Sequence, residues 1–247
     1  MSRPAPDWPL PRVFAHRCGG ALAPENTLVG LRIAAALGFR AVEFDVMLSR
    51  DGSPWLIHDE TLERTTDGVG RVCATPDSVL NTLDAGIYRH RAFAGEALPT
   101  LAAAAALCRQ LGLAANVEIK PAAGCEAQTG EVVARAVIEL WQGAPLPLVS
   151  SFSEVALASA RAVAARLPLG VLWQRAPDDW LARVDALDAY SVHLAWDALD
   201  ERVGAAARAR AIPVLCYTVN ARASAEALFA RGVDAVFSDR IDLLTAL

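Results

Sequence analysis

An alternation constrains this chain most. Eight short apolar runs lie at residues 13–16, 40–48, 115–119, 146–149, 169–173, 189–194, 212–217 and 235–237. Between them come longer stretches, many rich in alanine, at 26–37, 101–111, 126–141, 154–166, 177–184, 199–210 and 224–230. Alanine favours helix. Gly38, Gly112, Gly143, Pro168 and Gly232 fall where such helices should stop, since glycine just past a helix and proline nearby end it. Repeated strand–helix units demand parallel strands joined by crossovers. Eight such strands can close into a TIM-type (β/α)8 barrel, which usually takes about 250 residues; the chain has 247. No Pro/Gly-rich or charged linker divides it, so residues 1–247 are expected to form a single domain. The rival is an open doubly wound sheet. No G-x-G-x-x-G run follows a strand, and Gly19-Gly20 is too short to suggest a dinucleotide site.

One stretch breaks the alternation. Residues 40–58 hold two extended runs joined only by Arg50-Asp51-Gly52-Ser53. A parallel crossover needs a dozen or more residues, whereas Asp-Gly is a strong hairpin turn. With Asp51 and Gly52 as the two turn residues, Arg50 pairs with Ser53 and, counting outward, Asp45 pairs with His58. The chain should therefore pass beyond the barrel rim after strand 2, turn, and return His58 to the level of Glu43 and Asp45. Residues 60–98 follow as irregular loops, so the whole insertion spans 46–98.

Chemistry gathers at the ends of the apolar runs. Glu43 and Asp45 are two apart on a strand and point to one face. Unpaired in a barrel interior they would be costly; at the C-terminal rim they can bind a divalent cation. Glu118, ending the next barrel strand, can complete the carboxylate set. Oxygen-only donors favour calcium or magnesium over zinc, and manganese also fits. Lys120 shares the face of Glu118, and Pro121 keeps it extended. Lys120 and Arg17 are suited to phosphate oxygens. Free imidazole titrates near neutrality, which suits His16 and His58 to serve as a general base and a general acid; the residues alone do not assign which is which. Tyr217 could pack on an apolar part of a substrate.

Further polar residues have local readings. Thr27 is expected to cap the first helix, and Glu25 could accept hydrogen bonds at the rim. Asp59 on a strictly alternating strand points away from His58. Asp239 is expected to cap or tie a closing helix. His90 reads as loop surface and His193 as core or rim packing. Ser151 and Ser153 lie in no G-x-S-x-G elbow.

Composition excludes several classes. Lys plus Arg total 23 and Asp plus Glu 28, a formal net charge of −5, which is no nucleic-acid footprint. The five cysteines at 18, 73, 108, 125 and 216 fit neither a disulfide framework nor a zinc signature. Residues 1–12 are proline-rich with no apolar stretch of the signal-peptide kind, and no run approaches a membrane span of about 18 apolar residues. A cytoplasmic protein without stable membrane association is expected, its oligomeric state open.

The motifs His16-Arg17-Cys18-Gly19, Ala23-Pro24-Glu25-Asn26-Thr27, Glu43-Phe44-Asp45-Val46, His58-Asp59, Leu62-Glu63-Arg64-Thr65-Thr66, Glu118-Ile119-Lys120, Tyr217-Thr218-Val219-Asn220 and Gly232-Val233-Asp234 resemble, in order and spacing, those of the glycerophosphodiester phosphodiesterase family. The resemblance spans residues 13 to about 240. It implies a TIM-type barrel that hydrolyses a small glycerophosphodiester to sn-glycerol 3-phosphate and an alcohol. It also implies metal ligands at Glu43, Asp45 and Glu118, acid–base histidines at His16 and His58, and phosphate contacts at Arg17 and Lys120. The family usually has glycine where Cys18 stands, so a side chain there could crowd the phosphate loop or expose a thiol. It often has tryptophan in place of Tyr217. A lysophospholipase D-like enzyme would need a continuous apolar rim. A catalytically inactive phosphate-ligand barrel would bind without hydrolysing. A sugar isomerase would leave Arg17 and Lys120 unexplained. Direct water attack and a cyclic phosphate intermediate both suit these groups.

Overall fold

The computed structural model describes residues 11–244, so most of the stretch 1–12 lies outside the described residues. Nine strands occur among them: β1 (Val13–Ala15), β2 (Ala41–Leu48), β3 (Pro54–Leu56), β4 (Ala114–Ile119), β5 (Leu148–Ser151), β6 (Leu169–Trp173), β7 (Ser191–Ala195), β8 (Val214–Tyr217) and β9 (Ala235–Ser238). The helices are α1 (Leu28–Ala36), α2 (Asp77–Leu80), α3 (Leu101–Leu111), α4 (Glu126–Leu140), α5 (Glu154–Val163), α6 (Trp180–Ala186), α7 (Glu201–Ala209) and α8 (Arg222–Ala230). Eight parallel strands run in the order β1-β9-β8-β7-β6-β5-β4-β2, and pairing of Ala15 with Val42 closes the ring. The expected (β/α)8 barrel is present, and β3 lies antiparallel on β2 outside it.

Side-chain alternation sorts each strand into two faces. Val42, Phe44 and Val46 join the large apolar cluster beneath the helices. On the other face Phe14, Ala41, Leu148, Leu215, Ala235 and Phe237 fill the lumen with a separate apolar layer. Glu43 and Asp45 continue that inward face above Ala41. The lumen is thus apolar low down and charged toward the C-terminal ends of the strands, where barrels of this kind carry their chemistry.

Several boundaries differ from expectation, the hairpin and β5 for identifiable reasons. The hairpin register is one residue shorter: Val46 pairs with Leu56, Met47 with Trp55 and Leu48 with Pro54. Ser49 N donates to Ser53 O at 2.9 Å, so three residues make the turn, with Gly52 at φ +82° supplying its left-handed position. Ile57, not His58, lies opposite Asp45 and donates to its carbonyl at 3.1 Å. Strand β5 starts two residues later than its apolar run suggested. Pro145 and Pro147 have no N–H for a ladder, and pairing begins at Leu148 with Asn116. The insertion after β2 has its own small core of Met47, Trp55, Ile57, Leu62, Val72 and Leu80, and Trp55 Nε1 donates to Asp77 Oδ1 at 2.9 Å.

Candidate active site

The three carboxylates converge. Register pairs Asp45 with Glu118 on neighbouring β2 and β4, and Glu43 sits two residues below Asp45 on the same face. One oxygen from each of Glu43, Asp45 and Glu118 lies within 4.8 Å of the others. All three are buried. Burial, then the charge of Asp45, then that of Glu118, push the Glu43 carboxyl well above its usual range. Burial followed by Asp45 raises Glu118 as well, against the pull of Lys120. Glu43 Oε1 and Glu118 Oε1 accept no hydrogen bond. Buried carboxylates held together with oxygens that accept no hydrogen bond are costly unless a cation joins them. An all-oxygen donor set with two such oxygens, one of them at ion-pair distance from Lys120, fits a hard divalent ion.

Neighbouring groups fix the triad in place. Asn26 grips Asp45 from both sides: its Nδ2 donates to Asp45 Oδ2 at 2.9 Å and its Oδ1 accepts from Asp45 N at 3.0 Å. Arg17 N donates to Glu43 Oε2 at 2.9 Å. That amide is aimed by a left-handed turn after β1, with φ +49° at Arg17 and +73° at Cys18. Cys18 occupies the strained position as a fully buried core residue, and burial pushes its thiol pKa up. The thiol is therefore not exposed. Thr27 caps α1 as expected, accepting from Gly30 N at 3.4 Å.

Both histidines reach the same cavity, a space of about 180 Å³ that the triad, Arg17, Lys120 and Tyr217 also line. Each presents Nδ1 to a carboxylate at 2.6 Å: His16 to Asp239, and His58 to Asp59. Two corrections follow. Asp59 faces its own neighbour because the chain leaves β3 at Leu56, so strand alternation no longer governs residues 58 and 59. Asp239 is not a helix cap but the partner of His16, and Asn220 holds it through Nδ2 at 3.1 Å and by accepting from its backbone N at 2.8 Å. His16 Nε2 lies 3.8 Å from Glu43 Oε2, and His58 Nε2 lies 3.1 Å from Lys120 Nζ. Burial, with help from the Lys120 charge, keeps His58 below the ordinary histidine range despite Asp45 and Asp59.

The cations are shared. Arg17 Nη1 donates to Glu25 Oε1 at 3.0 Å, and its Nε stands 3.7 Å from Asp45 Oδ2. Arg64 clamps Glu25 with two bonds of 2.7 Å and also donates to both oxygens of Asp59. Arg64 first, then His58, hold the Asp59 carboxyl well below the usual range. Lys120 Nζ lies 3.5 Å from Glu118 Oε1 and 3.9 Å from Asp45 Oδ1. Tyr217 donates its hydroxyl to Trp173 O at 3.0 Å and sets its ring edge-on to Phe152. Ser151 and Ser153 are structural: the first bonds Ile119 O at 2.7 Å and the second caps α5.

Sequence reasoning did not single out Asn116, which also lines the cavity; its place two residues before Glu118 on an inward face was the available signal. A larger cavity of about 520 Å³ lies by the N-terminal ends of β2 and β4, lined by Arg40, Arg109 and Trp141 but by no carboxylate or histidine. No described helix is long and apolar enough to cross a membrane.

Comparison with similar proteins identifies the family. A phosphodiesterase from Oleispira antarctica, whose structure is in complex with the product sn-glycerol-3-phosphate, is 38% identical and superposes with a TM-score of 0.90 over 94% of each chain. A glycerophosphodiester phosphodiesterase from Agrobacterium tumefaciens is 28% identical, with a TM-score of 0.80 over 96% of this chain and 100% of that one. A glycerophosphodiester phosphodiesterase from Caldanaerobacter subterraneus subsp. tengcongensis is 30% identical over 95% of this chain and 96% of its own length. Residues 16–243 match the model of the glycerophosphoryl diester phosphodiesterase family. The chain belongs to that family.

Proposed function

We propose that this enzyme, as one barrel domain with its insertion at 46–98, hydrolyses glycerophosphodiesters to sn-glycerol 3-phosphate and an alcohol. The observation that carries this reading is the meeting of three buried carboxylates, two anchored histidines and two cations in one small cavity. Glu43, Asp45 and Glu118 would hold one divalent cation, calcium or magnesium by donor type, with manganese also accommodated. When bound, that ion supplies Lewis-acid polarisation of a phosphoryl oxygen.

The chain's own groups do the rest. Each imidazole has Nδ1 turned to a carboxylate, so Nδ1 carries the hydrogen and Nε2 is the atom that exchanges protons with substrate. One Nε2 takes the proton of the attacking hydroxyl or water, and the other returns a proton to the departing alcohol oxygen. Arg17 and Lys120 offset charge that develops on the phosphoryl oxygens. Tyr217, edge-on to Phe152, offers an apolar wall to the substrate. The five unpaired cysteines accord with a reducing cytoplasm.

The test is chelation. EDTA should abolish hydrolysis of glycerophosphodiesters, and calcium, magnesium or manganese should restore it. Full turnover by metal-free protein would refute the role given to the triad.

A further inference from the structure

Among the described residues, five buried side-chain atoms have no hydrogen-bond partner: Arg17 Nε, Glu43 Oε1, Glu118 Oε1, Asn116 Oδ1 and His193 Nδ1. The proposed cation and phosphate account for the first three. The hydrolysis proposed above gives Asn116 and His193 nothing to do, yet both line the cavity in which it would occur. Their exposures are 1% and 0%.

Asn116 lies level with Glu43, and His193 lines the cavity where it meets the apolar layer, level with Leu215. Asn116 Nδ2 donates to Ser150 Oγ at 2.9 Å, which leaves the carbonyl oxygen as an idle acceptor. His193 Nε2 lies 3.0 Å from Ser191 Oγ, and the ring rests against Phe237 with centroids 5.3 Å apart. Gly170 on β6 makes the room: a Cβ there would fall 2.5 Å from His193 Nε2. Barrel interiors are normally filled by bulky branched residues. This chain instead installs an amide, two hydroxyls and an imidazole, and clears a side chain to fit the last. Buried polar atoms left idle destabilise a fold unless something pairs with them.

We propose that Asn116 Oδ1 and His193 Nδ1 form the subsite that recognises the hydroxyls of the glycerol moiety. This rests on the phosphodiesterase reading and deepens it. A hydroxyl can donate to Asn116, and can donate to or accept from His193 according to the tautomer. Two vicinal hydroxyls satisfy both residues; an alkyl chain satisfies neither. Sites built to bond a hydroxyl reject analogues that lack it, because the buried partners are then left unpaired.

The test compares two phosphate monoesters by calorimetric titration of the full chain with calcium or magnesium present. One is sn-glycerol 3-phosphate. The other is n-propyl phosphate, which has the same carbon chain and charge without the hydroxyls. The glycerol ester should bind the wild-type enzyme tighter by about tenfold or more. Asn116→Leu and His193→Leu should each erode that preference, and His193→Gln should recover part of it, with thermal melting to check that each variant folds. Equal affinity of the wild-type enzyme for the two esters overturns the proposal, whether or not any variant folds. So does an Asn116→Leu variant that keeps the preference but loses cation affinity, since Asn116 would then serve the metal. Absence of phosphodiester cleavage with every cation would count against the function proposed above, and the titration reads the subsite independently of turnover.

Discussion

His16 and His58 show the same face to the cavity but are built in opposite ways. Each has Nδ1 2.6 Å from an aspartate. For His16 the partner is 223 residues away, on the chain leaving β9, which pairs with β1 as the barrel closes. For His58 the partner is the next residue, and the pair sits in the insertion after β2, steadied by Arg64. One orienting contact is a product of global closure and the other of local chain geometry. The first cannot form before the first and last strands meet. The second should survive as long as the hairpin and the Arg64 clamp do.

This contrast can be broken at several levels. Removing either imidazole should cost most: His16→Ala and His58→Ala should each lower kcat by roughly 10²–10⁴-fold, the usual worth of a general acid or base, while thermal melting stays near wild type. Turnover equal to wild type in both variants would dismiss the acid–base pair.

Removing the orienting carboxylates should cost less and unequally. Loss of an outer partner of a metal-bound histidine typically costs about 10–100-fold, and the same scale is expected here. Asp239→Asn should fall at the upper end, because Asn220 and the β1–β9 junction pin Asp239 to one position. Asp59→Asn should fall at the lower end and also move the pH profile. Asp59 raises the His58 pKa, so its loss should shift the limb governed by His58 to lower pH. Identical rate losses with no pH shift would erase the distinction drawn between the pairs.

Arg64→Ala sharpens the comparison further. Arg64 bonds Glu25 and Asp59 and touches nothing of the His16 pair. A several-fold drop in kcat is expected, with stability within about 1 kcal/mol of wild type because the side chain is 47% exposed. Adding Arg64→Ala to Asp59→Asn should cost little more, whereas adding it to Asp239→Asn should multiply the losses. Kinetics of the two double variants decide this.

His193 supplies the control, a histidine with no carboxylate partner. Burial pushes its pKa down to about 3, against about 6.5 unfolded. Between those values the unfolded chain binds a proton that the folded chain refuses. Its contribution to stability is therefore complete above about pH 6.5 and is lost as pH falls, by up to about 1.4 kcal/mol per pH unit. Urea midpoints of His193→Gln from pH 7.5 to 5 should decline less steeply than those of wild type. Parallel curves would mean that His193 titrates normally.

Much of the fold was legible because a barrel repeats its unit, and each repeat carries its own apolar run and stop signals. The carboxylate triad and the two histidines were legible because they end such runs. What escaped reading depended on closure or on turn geometry. No local signal links Asp239 to His16; only adjacency of β9 and β1 does. The hairpin slipped by one because Arg50-Asp51-Gly52 can turn with two or three residues, and the left-handed Gly52 suits both. Asp59 was misjudged because alternation was carried past the residue where the strand ends. Asn116 escaped because one polar residue inside an apolar run carries little weight until the barrel shows which face is inward.

Lys120 is the only lysine in the chain, and its amine stands in the cavity with 22% of the side chain exposed. Amine-directed reagents such as reductive methylation or acylation can therefore react with this protein at one internal position, apart from the α-amino group. A labelled methyl placed there would give an NMR probe of the cavity without background from other side chains. Coupling the enzyme to a support through that lysine would, by the same token, silence it.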